Sequence, residues 1–201
     1  MNEIPRPSTL TGTDRSIRSL AGRRWTTAEL LTRIEAGLLD PDEEFELIHG
    51  EVVPLLRRGR CHENFRGDLA EFLIRRCPYG VRVDAAPQFS LADDTFRKSE
   101  ILLRPANISG FDARGADALL VIDMDEARDN CDLTTRPKLY ASFGVREYWV
   151  IAARTQVTWV HRGPSATGYA SVREVSAGEV LTPALVPALT FRLDEIGQLD
   201  D

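Results

Sequence analysis

The run Ala118-Leu119-Leu120-Val121-Ile122, closed by Asp123, constrains the fold more than any other segment of the chain. Consecutive apolar residues cannot alternate between core and water, so as a strand they need cover on both faces. Such cover comes from helices packed against a sheet, the layering of α/β domains. The run is far shorter than the ~18 apolar residues of a membrane span, and no other stretch approaches that length.

The flanking segments supply both helices and further strands. Thr26 with Glu29 forms a capping box, Trp25 can staple onto Leu30, and Leu30, Leu31, Ile34 and Leu38 mark one helical face. Phe45–Ile48 and Val52–Leu55 flank His49-Gly50 and predict a strand pair around a tight turn. From His62 to Arg76, Phe65, Leu69, Phe72 and Leu73 share a face, which predicts an amphipathic helix ending before Pro78-Tyr79-Gly80. Val81/Val83 and Phe89/Leu91 alternate as half-buried strands do, and Ile101-Leu102-Leu103 is a short apolar strand closed by Pro105.

A short helix follows Asp123, capped by Thr134 or Thr135, with Pro137 tolerated in its first turn. Tyr148–Ala152, Val157–His161 and Tyr169–Val175 then read as strands. The order predicts a mixed α/β domain, with helices on both faces of a central sheet. Residues 1–24 lack apolar periodicity and read as a mobile tail, which leaves 25–201 as the domain.

At 201 residues, 43% hydrophobic and 28% charged, the chain suits one globular domain. Its N-terminus has no apolar stretch of the secretory kind, and Cys61, Cys77 and Cys131 lack CxxC spacing. Reduced thiols and a cytoplasmic location are the expectation. A net charge of −6 argues against a basic nucleic-acid coat. It leaves room for a local basic groove, since Arg57, Arg58 and Arg60 cluster and Arg75 and Arg76 follow. Of the 25 basic residues only Lys98 and Lys138 are lysines. That bias suits phosphate chelation and equally reflects genome composition.

Asp123 carries the chemistry. An unpaired carboxylate at the end of a buried strand costs several kcal/mol, so a hydrogen-bond network, a cation or a metal must offset it. Glu100 opens the Ile101–Leu103 strand, and two acidic residues at neighbouring strand ends can share a divalent ion, with Glu46 as a third oxygen donor. Mg²⁺ asks for one or two carboxylates plus water and phosphate oxygens. The competing reading has Asp123 capping the next turn and Glu100 as a solvated strand end.

Arg136, Tyr140 and Phe143 fall at i, i+4 and i+7, so Arg136 points with the packing face toward the sheet, and Lys138 faces solvent. An inward arginine there serves either as a structural ion pair or as a clamp on a phosphate oxygen. His62, beside Glu63 at a helix start, is a candidate general base or a cap. No Gly-rich phosphate loop, GxSxG or HExxH occurs, and nothing points to a thiol enzyme.

In order, ELIHGE (Glu46–Glu51), His62, Glu100, LLVID ending at Asp123, and Asp132 leading to LYASFGVREYWVI (Leu139–Ile151) resemble the Uma-two family of bacterial restriction endonucleases, within the PD-(D/E)XK nuclease superfamily. The resemblance runs from about Trp25 to the C-terminus, and GVREYWVI is its most specific stretch. It implies a restriction-endonuclease-like fold, a Mg²⁺-dependent phosphodiesterase site with Mn²⁺ as a substitute, DNA as partner, no membrane and a homodimer. By position it assigns Glu100 and Asp123 as metal ligands, with Glu46 and Arg136 completing the catalytic set.

The motif departs from the family pattern. Ser99-Glu100 stands where Pro-Asp is usual, Asp123 where a glutamate is usual, Arg136 where a lysine is usual, and Met124-Asp125-Glu126-Ala127 replaces a serine-rich stretch. Exchanging Asp and Glu moves the carboxylate oxygens by about one C–C bond, ~1.5 Å, and a misplacement near 1 Å can cost ~100-fold in rate. Arginine keeps the charge but cannot handle a proton as lysine can.

Three functions are consistent with these residues: an endonuclease weakened at its catalytic positions, an inactive nuclease fold that binds nucleic acid through its arginines, and an interaction or structural module whose apolar GVREYWV stretch and C-terminal strands support a dimer.

Overall fold

The computed structural model describes residues 15–40, 42–55, 60–110, 112–125 and 133–196, with side chains in the second helix from Glu63 onward. Arg57, Arg58, Glu126, Ala127, Cys131 and Asp132, singled out above, lie outside the described residues, as do the side chains of Arg60, Cys61 and His62.

Among the described residues, ten strands and three α-helices follow in order: α1 (Thr27–Glu35), β1 (Phe45–Ile48), β2 (Glu51–Pro54), α2 (Arg60–Arg76), β3 (Val81–Ala85), β4 (Gln88–Ala92), β5 (Thr95–Lys98), β6 (Ile101–Pro105), β7 (Leu120–Asp125), α3 (Thr135–Ser142), β8 (Glu147–Ala152), β9 (Thr158–Ser165) and β10 (Gly168–Val175). They build a six-stranded sheet, order β10-β9-β8-β7-β6-β3, and a four-stranded sheet, order β2-β1-β5-β4. In the larger sheet β7 and β8 run parallel and the other neighbours antiparallel. The parallel pair is joined through α3, as a crossover requires.

The apolar run behaves as its composition demands. Leu120, Ile122 and Met124 point to one face of the larger sheet and pack with Leu69, Phe72 and Leu73 of α2. Val121 points to the other face and packs with Tyr140 of α3 and with Tyr148 and Val150 of β8. Helices therefore cover both faces, as expected. Fully burying a leucine such as Leu73 stabilises by roughly 1.5–3 kcal/mol, and these two layers hold the fold.

The smaller sheet has its own core, in which Ile17, Leu20, Trp25, Leu30, Phe45, Leu47 and Phe96 gather. Residues 1–24 were read as a tail for want of periodicity, yet Ile17–Leu20 forms a 3-10 turn whose Ile17 and Leu20 are buried here. Two apolar side chains spaced three apart in an otherwise polar segment give no periodic signal. The capping box forms as expected, with Thr26 accepting from the Glu29 N–H and the Glu29 carboxylate accepting from the Thr26 N–H. Of the face predicted for α1, however, only Leu30 is buried, while Leu31, Ile34 and Leu38 are about 40% exposed.

The hairpin β1–β2 turns on His49-Gly50, with Ile48 opposite Glu51 and φ of 49° and 80° at the two turn residues. Positive φ at both centres is the primed turn that matches strand twist. Gly50 is needed for a second reason: a Cβ there would stand 3.0 Å from the Arg24 side chain and 3.3 Å from the Trp25 backbone nitrogen.

β5 had no counterpart in the sequence reading, and it proves central. The GVREYWV stretch also corrects an expectation. Val145, Tyr148, Trp149 and Val150 are 0–3% exposed within the larger sheet, so they cannot form a dimer surface.

Candidate functional site

The two sheets contribute side chains to one buried polar cluster, and strand parity explains how. In β1, Phe45 and Leu47 enter the small core, which turns Glu46 to the opposite face. Leu47 lies opposite Phe96, which also enters that core, so Arg97 emerges beside Glu46. In β7, Asp123 shares the face of Val121, beneath Tyr140 and Tyr148. Chain continuity links the sheets at Ser99-Glu100, between β5 and β6.

Asp123 is 1% exposed. Its Oδ2 accepts the Tyr148 hydroxyl at 2.9 Å and lies 3.9 Å from Arg136 Nη1, whereas Oδ1 is buried with no hydrogen-bond partner. Glu46, 3% exposed, is fully engaged. Its Oε1 accepts the Lys98 backbone N–H at 3.0 Å, and its Oε2 lies 3.1 Å from Arg97 Nη2. Burial raises the Glu46 pKa above the ordinary carboxylate value; Arg97 opposes this, and the charge of Asp123 reinforces it. Burial wins over the ion pair.

Two guanidiniums sit among these acids. For Arg97, burial pulls the pKa down, but Tyr140, Glu46 and Asp123 outweigh it and raise the net value. For Arg136, burial again opposes, and the attraction of Asp123 prevails. Both therefore remain cations at any working pH. The Arg97 guanidinium also stands 5.6 Å from the centre of the Tyr140 ring. Burial and the nearby Asp123 carboxylate push the phenols of Tyr140 and Tyr148 well above their ordinary pKa, so both stay neutral.

Glu100 is 4% exposed and sits at the head of β6. Its N–H donates to the Ile122 carbonyl at 3.1 Å, and Ile101 pairs with Ile122, which sets Glu100 opposite Asp123 across the ladder. Its Oε2 lies 3.7 Å from Arg66 Nη1 of α2, and Arg66 also pairs with Glu63. The structure thus brings Glu46, Asp123 and Arg136 together around Arg97 and puts Glu100 at the adjoining strand end. Lys138 is exposed, as expected. Arg75 pairs with Glu71 at 2.6 Å, and Arg76 lies 4.1 Å over the Phe72 ring, so both lean on their own helix.

A family model described as "Putative restriction endonuclease", Uma2, matches residues 28–194. The chain belongs to the Uma2 family. A crystal structure of "a putative nuclease belonging to DUF820" from Anabaena variabilis ATCC 29413 is similar in fold, with a TM-score of 0.63 at 13% identity. The alignment covers 85% of this chain and 96% of that one. No curated protein matches the chain. The Uma2 domain therefore has the restriction-endonuclease-like architecture that its sequence implied, and among its described residues no helix is long and apolar enough to cross a membrane.

Restriction-endonuclease-like families generally use divalent metals, and the donor set can be tested for one. Among the described residues no three His, Cys, Asp or Glu side chains form a metal-holding group. Mg²⁺ needs fewer, because water and phosphate oxygens complete its shell. Asp123 Oδ1, buried without a hydrogen-bond partner, offers one such oxygen, and Glu100 heads the neighbouring strand with its carboxylate 3.7 Å from Arg66.

Sequence reasoning missed Arg97 and the role of Tyr148, and read Tyr140 only as part of the packing face of its helix. Arg97 was legible only through the alternation Phe96 in, Arg97 out, and that alternation becomes visible once β5 is recognised as a strand.

Proposed function

We propose that this Uma2 domain is a Mg²⁺-dependent endonuclease that hydrolyses phosphodiester bonds of DNA, at a rate lowered by its altered catalytic residues. The observation that carries the reading is the buried, unpartnered Oδ1 of Asp123, opposite Glu100 and backed by Arg136. An oxygen kept dry and without a donor is costly unless a cation completes it.

Asp123 and Glu100 would hold the ion, with Mn²⁺ as a substitute. When bound, it supplies Lewis-acid stabilisation of phosphate charge and a more acidic water. Tyr148 fixes the Asp123 carboxylate through Oδ2 and leaves Oδ1 for the ion. Arg136, partly exposed on α3, is placed to take a phosphate oxygen. Being permanently protonated, it cannot accept the proton of an attacking water, so that proton leaves to solvent. This missing base is the source of the slow rate. The protein acts in the cytoplasm as a homodimer, which sedimentation velocity checks, and residues 25–201 constitute the nuclease domain together with the Ile17–Leu20 turn packed into its smaller core.

The test is nicking of supercoiled plasmid DNA with Mg²⁺ and with Mn²⁺. The proposal expects slow nicking that chelator stops and Asp123→Asn abolishes. Arg136→Lys is expected to raise the rate by on the order of 100-fold, the lower end of what a positioned proton acceptor contributes. Retention of DNA with no cleavage by either protein sinks the nuclease and leaves an inactive nucleic-acid-binding module.

A further inference from the structure

Arg97 is buried at 4% exposure and reaches the cluster from the smaller sheet. Its Nη2 and the Lys98 backbone N–H together take both oxygens of Glu46, at 3.1 and 3.0 Å. Those donors come from successive residues of one strand, so they hold Glu46 in a fixed orientation. Asp123, by contrast, keeps Oδ1 without a donor, and Arg97 Nε is likewise buried without an acceptor.

The charge sum points the same way. Among the described residues, Glu46, Glu63, Glu100 and Asp123 bring four negative charges, while Arg66, Arg97 and Arg136 bring three positive ones. One net negative charge remains, and a single divalent ion reverses it to one positive, a state suited to a phosphate diester. A second divalent ion would leave three positive charges in a buried site, which low-dielectric repulsion opposes.

We propose that Arg97 is a positioning residue that withholds Glu46 from the metal, so that the site takes one divalent ion, held by Asp123 and Glu100. This rests on the reading above that those two carboxylates receive an ion. Arg97 acts as the permanent cation of the half of the site built by the smaller sheet, and the exchangeable ion serves the other half.

The test is Mn²⁺ binding by the full chain, with free ion followed by electron paramagnetic resonance and stoichiometry by calorimetry. Wild type is expected to bind one ion, and Asp123→Asn to lose it. Glu46→Gln is expected to bind one ion with affinity within about twofold of wild type, because Glu46 is not a ligand. Arg97→Gln frees the Glu46 carboxylate and is expected either to admit a second ion or to tighten the first by about tenfold, the scale on which outer-shell changes act. Arg97→Lys restores single-ion behaviour.

Two ions on wild type, or a tenfold loss in Glu46→Gln while Asp123→Asn abolishes binding, overturns the role of Arg97 and leaves the ion site standing. No binding by wild type overturns both. Should Arg97→Gln fail to fold by near-ultraviolet circular dichroism, Glu46→Gln decides alone.

Discussion

Two carboxylates on neighbouring parallel strands are equally buried and entirely different. Glu147 at the start of β8 is 1% exposed, and so is Asp123 toward the end of β7. Glu147 Oε1 accepts from Trp149 Nε1 at 2.9 Å and from Arg162 Nε and Nη2 at 2.9 and 2.7 Å, while Oε2 accepts the Ala184 N–H at 2.6 Å. Arg162 passes the link on to the Thr182 carbonyl at 2.7 Å. Glu147 thus ties the C-terminal segment to the sheet with every oxygen occupied. Asp123 has one phenol on Oδ2, an arginine 3.9 Å away and nothing on Oδ1. Folding supplied donors for one acid and left the other short, and a carboxylate left short in the interior is where a ligand can contribute most.

The largest effect is expected on the saturated side. Glu147→Ala strands the Trp149 and Ala184 donors and should cost about 3 kcal/mol, the low end for a broken buried pair because Arg162 can rehydrate. Urea unfolding with an unchanged slope measures it. Tyr148→Phe removes the hydroxyl from Asp123 and should cost about 1–3 kcal/mol without divalent ion, since no other described residue hydrogen-bonds that carboxylate. Asp123→Asn runs the opposite way from Glu147→Ala. The neutral amide still accepts from Tyr148, and Arg136, partly exposed, can rehydrate when the charge is lost, so ion-free stability should stay within about 1 kcal/mol of wild type. A loss equal to that of Glu147→Ala would erase the contrast.

The smallest effect is a pH slope beside this pair. His161, 2% exposed, lies between the rings of Tyr148 and Tyr169, each with centroids 5.5 Å away. Burial lowers its pKa from the ordinary 6.5, against a hydrogen bond to the Trp159 carbonyl. The unfolded chain therefore binds the proton first as pH falls. The stability linked to His161 is present in full above 6.5 and is lost as pH falls through the lowered folded value. Urea midpoints between about pH 7.5 and 5 should show that slope, and His161→Gln should flatten it.

The contrast between the acids was half legible in the sequence. Asp123 announced itself by ending an apolar run, and the two faces of that run forecast the helical layers. The capping box at Thr26 and the turn at His49-Gly50 were legible because each depends on a few adjacent residues with fixed stereochemistry. Arg97 was hidden because β5 is four residues long, sits among charged residues and shows a single apolar side chain, Phe96, to its core. Glu147 was hidden because its donors include Ala184, 37 residues away, on a segment without regular structure. Parity within a strand can be read from sequence; which distant backbone amide will arrive at a carboxylate cannot.

The most direct measurement is the thermal shift produced by Mg²⁺ and Mn²⁺ on wild type, Asp123→Asn and Glu147→Gln. At ~100 times the dissociation constant, a bound ion adds about 2.7 kcal/mol of stability. Wild type should show that rise, Glu147→Gln should show the same rise from a lower baseline, and Asp123→Asn should show none. A shift that survives in Asp123→Asn would contradict the assignment of the unsatisfied carboxylate as the working one.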